Sequence, residues 1–209
     1  MRIAVTGATS MTGIALTRLA LSEGHEVVAI VRPGSAGIRN IPVSGNVKIT
    51  ECDISDYGSL SGTDGCDIFF HLAWDKTAAD GRDDIHAQQM NIRYTEDAVS
   101  LAKDWNASAF VGVGSQAEYG LLSGKAGKDT PTYPTSGYGI AKYTAGRNAS
   151  VLCERSGMRF CWSRIFSSYG EYDRDHTLIM YLIRTLLAGN IPELTKCEQI
   201  KDQIPSEKN

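Results

Sequence analysis

At 209 residues, with 42% hydrophobic residues and a formal net charge of −3, the chain is long enough for one sizeable core and too short for two large ones. Its positive residues form no long run, which argues against a nucleic-acid partner; no apolar stretch reaches bilayer length or carries a signal-peptide pattern, so no membrane partner and a cytoplasmic location are expected. Five cysteines (Cys52, Cys66, Cys153, Cys161 and Cys197) are odd in number and scattered, with no C-x-x-C pair or histidine at zinc spacing. They read as reduced thiols, and no metal site is expected.

In chain order, Arg2 to Thr6 reads as a short buried strand, Gly7 opens a turn, and Thr12 to Ser22 carries apolar residues at helical spacing. Further strands are predicted at Glu26 to Val31, Val47 to Glu51, Asp67 to Phe70 and Ala109 to Val113. A long helix is predicted from about Asp84 to Asp104, another from Ser136 to Glu154, and a last strand from Arg159 to Ser163. This alternation predicts an α/β fold: a Rossmann-type, doubly wound, mainly parallel sheet with helices on both faces. Ligands of such sheets bind beyond the carboxyl ends of the strands, so the loops after each strand should carry the chemistry. Residues 1–190 are taken as one domain and 191–209 as a remnant or tail beyond it.

The turn Thr6-Gly7-Ala8-Thr9-Ser10-Met11-Thr12-Gly13 puts glycines where the backbone must bend after the strand and where the helix must approach the sheet. Its amides, from Gly7 through Thr9, Ser10, Met11, Thr12 and Gly13, could hold a pyrophosphate; a Gly-rich turn also joins a strand to a helix for steric reasons alone. Arg32 follows the second strand where an acid would bond an unphosphorylated ribose, which favours NADP over NAD; the alternative is an ordinary surface arginine. Asp53, followed by Ile54 after the third strand, could bond the adenine amino group or could be a helix N-cap.

Tyr138 and Lys142 are four residues apart in Tyr138-Gly139-Ile140-Ala141-Lys142, which places both on one helical face. Ser115 follows the fifth strand, whose carboxyl end faces the same crevice. A tyrosine serving as base near neutrality must drop its pKa from ~10 to about 7, roughly 4 kcal/mol of preference for phenolate. An ammonium at about 4 Å supplies on the order of 4 kcal/mol at an effective dielectric of ~20, before desolvation. That gives Lys142 a quantitative reason to be there; taken alone, the pair could be an exposed helical coincidence.

Thr6-Gly7-x5-Gly13, His71-Leu72-Ala73, Asn91, Ser115-x3-Tyr119-Gly120, Tyr138-x3-Lys142 and Arg164-x-Phe166-x2-Tyr169-Gly170 together resemble, in order, the motifs of the extended short-chain dehydrogenases/reductases, the NAD-dependent epimerase/dehydratase type. The resemblance implies that Ser115 orients the reacting oxygen, that Tyr138 is acid/base, and that Lys142 binds the nicotinamide ribose while tuning Tyr138. It also implies that Leu72, Ala73, Trp74 and Asn91 line the cofactor cleft with His71. The segment from Gly114 to Gly120 is similar to members acting on nucleotide-linked sugars, including those resembling CDP-sugar synthases, so Gln116, Glu118 and Ser167 are expected on the substrate side. Bland alternatives stand beside these: a core histidine for His71, buried backbone satisfaction for Asn91, and packing for Glu118 and Tyr119.

Ser10 stands where the family's middle glycine is usual, and Ser167 where an asparagine is frequent. Leu194 to Ile200 resembles the lead-in to a further strand, whereas Lys201 to Asn209 is polar and unlike the family's continuation. The expectation is therefore a shortened chain whose substrate lobe is mostly absent, with cofactor binding better preserved than turnover. The functions left in play are an epimerase, dehydratase or reductase of a nucleotide sugar, a non-catalytic dinucleotide-binding sensor or partner subunit, and an inactive truncated product. Family members pair through helices like those at 84–104 and 136–154, so a homodimer is expected.

Overall fold

The structure is a computed structural model, and it describes residues 1–122, 124–127, 129–174, 177–194, 196 and 203–205. The first half is a run of strand–helix units: β1 (Arg2–Thr6), α1 (Met11–Ser22), β2 (Glu26–Val31), β3 (Val47–Glu51), β4 (Ile68–His71), α2 (Ile85–Asp104) and β5 (Ala109–Ser115). Then come α3 (Gly137–Arg155), β6 (Arg159–Ile165), β7 (Ser167–Tyr169), α4 (Leu178–Leu187) and β8 (Gln203–Pro205). The first six strands make one parallel sheet in the order β3-β2-β1-β4-β5-β6. Strand order reverses between β1 and β4, and a doubly wound sheet opens a ligand crevice at that reversal.

Alternating strand residues feed two cores. Ile3, Val5, Val27, Ala29 and Val31 face α1 with Ala8 and Ala20. Ala4, Val28, Ile30, Phe69 and Phe110 face the other side, where Ala98, Val99, Ala102, Ala149 and Cys153 of α2 and α3 cover them. Burial on both faces explains why these strands read as nearly continuous apolar runs. Side-chain caps start the three long helices: Ser10 accepts from Gly13 N, Asp84 from Ala87 N and Ser136 from Gly139 N.

Three strand ends differ from the sequence prediction in ways that matter for the site. The fourth strand runs one residue further, to His71, which stands opposite Thr6 in the ladder. The fifth and sixth strands run on to Ser115 and Ile165 because their pairing continues through Gly114 with Arg164 and Ser115 with Ile165. Within the polar tail, residues 203–205 form a strand that pairs in parallel with β7. The expected lead-in strand falls mainly on residues 195 and 197–200, which lie outside the described residues. α4 is not among the predicted elements; it buries none of its residues and leaves Leu186 and Leu187 exposed.

Candidate active site

The phosphate-type turn is built on two close approaches. Gly7 has a φ of +68°, and a Cβ there would sit 2.8 Å from Ala73 N, so the loop after β4 presses against the turn after β1. A Cβ on Gly13 would overlap Gly7 O and lie 2.7 Å from Ala8 Cα, so the first turn of α1 also needs a bare position. The resulting cradle of backbone at a helix start, at the reversal of strand order, fits a dinucleotide pyrophosphate. Thr9 is half-buried and accepts a hydrogen bond from Ser35 Oγ at 3.3 Å; Met11 and Thr12 are half-buried, and Ser10 is exposed.

Thr6 ties the crevice floor together. Its Oγ1 accepts from Leu72 N at 3.2 Å and Ala73 N at 3.3 Å, and it contacts His71 Nδ1 at 2.9 Å. Thr95 Oγ1 donates to Asn91 O, which leaves it to accept from His71 Nε2 at 3.4 Å. The pattern assigns His71 the neutral tautomer protonated at Nε2, with Nδ1 accepting from Thr6. Complete burial, and secondarily the charge of Lys142, push His71 down to about 3. It is a strand-end core histidine and has no proton to offer near neutrality.

Asn91 clamps the loop after β4: Oδ1 accepts from Asp75 N at 2.8 Å, and Nδ2 donates to Asp75 O and Ala87 O. Gln88, absent from the sequence-derived site, does the same one turn earlier, accepting from Trp74 Nε1 at 2.9 Å and donating to Lys76 O and Gly81 O. Leu72 packs on the α1-side core. Asp53 caps the turn beginning at Ile54, accepting from Ser55 N and Ser55 Oγ; those two bonds, helped by the nearby Arg32 guanidinium, hold its carboxyl below the usual range. Arg32 itself is exposed.

Ser115, Tyr138 and Lys142 come together where β5 ends and α3 begins. A Cβ on Gly139 would overlap Ala117 O, and one on Gly137 would lie 2.7 Å from Ile85 Cδ1, so glycines on both sides of Tyr138 let the first turn of α3 wedge against the turn after β5. Ser115 Oγ accepts from Ala117 N at 3.2 Å and lies near enough to the Tyr138 phenol to favour its ionised form. Burial holds that phenol above its ordinary pKa, against Ser115 and the charge of Arg82, with Glu118 adding to the rise. Lys142 Nζ donates to Val113 O at 2.7 Å and stands 3.6 Å from the centre of the Trp74 ring. Burial brings Lys142 down to about 7, opposed by the Glu118 carboxylate.

Lys142 Nζ lies 5.9 Å from the Tyr138 ring centre and packs over the face of Trp74. The cation nearer the ring is Arg82, whose Cζ is 5.0 Å from the centroid.

Glu118 is fully buried: Oε1 accepts from Ser115 N at 2.8 Å and Trp162 Nε1 at 3.0 Å, and Oε2 takes Arg164 Nε at 2.7 Å. Both oxygens are engaged and no surface is exposed, an arrangement that braces Ser115 through its backbone N–H. Gln116 is exposed beside it, and Ser167 is half-buried on β7. Among the described residues no group of three histidines, cysteines or acids could hold a metal ion, and no helix is long and apolar enough to cross a membrane.

Residues 3–204 match the model of the NAD dependent epimerase/dehydratase family. Among solved structures, the UDP-glucose 4-epimerase of Thermotoga maritima, determined with UDP-glucose, superposes with a TM-score of 0.86 at 18% identity, over 99% of this chain and 70% of that one. A dTDP-glucose 4,6-dehydratase of Streptomyces venezuelae, determined with NAD, gives 0.82 at 22% identity over 99% and 68%. An uncharacterized protein of Mycobacterium bovis is 40% identical over 75 residues, a segment that spans 35% of this chain and 8% of that protein.

Proposed function

We propose that this chain, which belongs to the NAD dependent epimerase/dehydratase family, modifies the sugar of a nucleotide sugar by oxidation and reduction at a carbinol carbon, with Ser115, Tyr138 and Lys142 as its working residues. The observation that carries this reading is the convergence of Ser115 at the end of β5 with Tyr138 and the buried Lys142, which donates to Val113 O of the same strand, next to the glycine cradle. The bound dinucleotide supplies the acceptor and donor of hydride. Tyr138 Oη takes the proton of the sugar hydroxyl as the carbon is oxidised and returns one on reduction. Ser115 Oγ holds the reacting oxygen, its own position fixed by Ala117 N and, through the backbone, by Glu118. Lys142 keeps N–H donors beyond the one given to Val113 O, and these suit ribose hydroxyls.

NADP is favoured over NAD because β2 ends in an exposed arginine, Arg32, next to Ser35, which itself reaches Thr9 of the cradle. Asp53 lies close enough to Arg32 to offset part of that charge, so the preference should be modest. Membership of the family and likeness to epimerase and dehydratase folds leave three outcomes: epimerisation, dehydration or net reduction.

The test is a fluorescence titration with NADPH and NADH of the wild type, Tyr138→Phe and Arg32→Asp, followed by addition of a panel of UDP-, dTDP- and CDP-sugars to the loaded protein. Binding of both dinucleotides, an NADPH preference lost in Arg32→Asp, and sugar-dependent turnover lost in Tyr138→Phe are expected. Binding with no turnover on any sugar would favour a dinucleotide-binding sensor or partner subunit, and no binding would reject both.

A further inference from the structure

The electrostatic neighbourhood of Tyr138 contains a cation outside the Ser–Tyr–Lys set. Arg82 lies in the segment leading into α2, and that segment docks on the start of α3 through its backbone: Tyr138 N donates to Arg82 O at 2.9 Å, and Gly137 N reaches Asp83 Oδ1 at 3.4 Å. The docking needs a glycine at 137, where a Cβ would stand 3.2 Å from Arg82 O. The Arg82 side chain then folds back over the phenol, its Nε donating to Thr77 O at 3.1 Å and its Cζ 5.0 Å from the ring centre. One residue therefore fixes the helix start by its carbonyl and faces the aromatic ring with its charge.

We propose that Arg82 is a positioning residue for Tyr138, a second cation that stabilises negative charge on the phenol oxygen while its backbone holds the first turn of α3 in place.

The inference rests on the acid/base role proposed for Tyr138. The other groups facing that phenol do not replace Arg82. Glu118, from the turn after β5, carries the opposite sign; Ser115 is neutral; and His71, at the end of β4, is uncharged. Asp83 is acidic and engaged at Gly137 N. Lys142, from α3 itself, is directed to Trp74 and Val113 O. Arg82 is also the one whose charge acts to lower the Tyr138 pKa, against the burial that raises it. Because Arg82 is exposed, solvent screens it strongly: unit charges about 5 Å apart at water-like screening shift a pKa by about half a unit.

The test uses the full chain with 3,5-difluorotyrosine introduced at position 138, which lowers the phenol's intrinsic pKa into an accessible range and gives a single fluorine signal to titrate by NMR. Arg82→Met, which retains the stem and removes the charge, should raise the midpoint by about half a unit or more; Arg82→Lys should restore most of it. In the unsubstituted background, raising the salt concentration should move the midpoint in the same direction as Arg82→Met and should leave Arg82→Met itself nearly unmoved. The salt titration needs no substitution at Arg82, so the proposal remains testable if Arg82→Met lowers the melting temperature. An unchanged midpoint in Arg82→Met, or equal salt shifts with and without Arg82, would overturn it. Because the readout is a titration and not turnover, failure here leaves the proposed reaction standing, and failure to bind dinucleotide leaves this titration interpretable.

Discussion

Replacing Glu118 by alanine is the sharpest available test of how the site is held. In the folded chain this carboxylate is fully buried and accepts from Ser115 N, Trp162 Nε1 and Arg164 Nε at 2.8, 3.0 and 2.7 Å. Removing it strands two neutral donors, at about 1–3 kcal/mol for each that stays dry. It also breaks a pair for which loss of one partner costs about 3–5 kcal/mol when both charges are buried. The Arg164 side chain is 29% exposed and can turn part of its charge to water, and water entering the vacated space can serve one of the donors. The terms overlap, and an overall loss of about 3–5 kcal/mol is expected.

That is a large share of a domain's typical stability of about 5–15 kcal/mol, and for a chain of this size it corresponds to a fall in Tm of roughly 6–20 °C. Glu118→Gln keeps one oxygen acceptor but turns an NH2 toward Arg164, and should lose less, about 1–3 kcal/mol. Urea unfolding followed by circular dichroism measures both. If Glu118→Ala unfolds within about 1 kcal/mol of the wild type, the bracing argument is wrong and the carboxylate is free to be reassigned to the substrate.

Two further predictions concern the cradle and the buried ammonium. Gly13→Ala should destabilise by about 1–3 kcal/mol despite alanine's better helix propensity, because the new Cβ meets backbone at Gly7 and Ala8 and not a movable side chain; it should also weaken dinucleotide binding in the fluorescence titration. Lys142 has a folded pKa of about 7 against an ordinary 10.5, so between these values the unfolded chain binds the extra proton and stability rises with pH. Relative to Lys142→Met, the wild type should therefore gain stability from pH 7 toward pH 10, as read by urea midpoints across that window, and a flat difference would refute the burial of an uncompensated ammonium.

The strands, the turn after β1 and the Tyr–Lys spacing were legible because each is written in local periodicity: five of the six sheet strands begin at the predicted residue. What the sequence could not carry was direction. The four-residue spacing put Tyr138 and Lys142 on one helical face, but whether the ammonium meets the phenol depends on Trp74, contributed by a loop more than sixty residues earlier and held by Gln88. Glu118 reads as a polar residue in a loop. Its burial follows from β5 and β6 pairing two residues further than predicted, which delivers Arg164 beneath the turn and leaves Gly114 bare against the carboxylate and Trp162. Arg82 carried no signal, since nothing in its neighbourhood of the sequence indicates that its carbonyl caps a helix start more than fifty residues later.

These tertiary contacts change how Tyr138 would work in the proposed acid/base role. A lysine of full charge at about 4 Å would have offset the whole cost of a phenolate near neutrality; the chain instead has a buried lysine whose own proton is weakly held and which faces an indole. In the free chain, then, burial keeps Tyr138 protonated, and Arg82 opposes it weakly from a solvated position. Deprotonation near neutral pH requires positive charge added inside the crevice, where screening is low, and an oxidised nicotinamide carries such a charge. A phenol that becomes a competent base mainly in the loaded crevice would tie proton transfer to occupancy. The same argument makes Arg82 a modest contributor, set by its exposure, and Glu118 a structural brace whose negative charge the site tolerates because Arg164 neutralises it from the side away from Ser115.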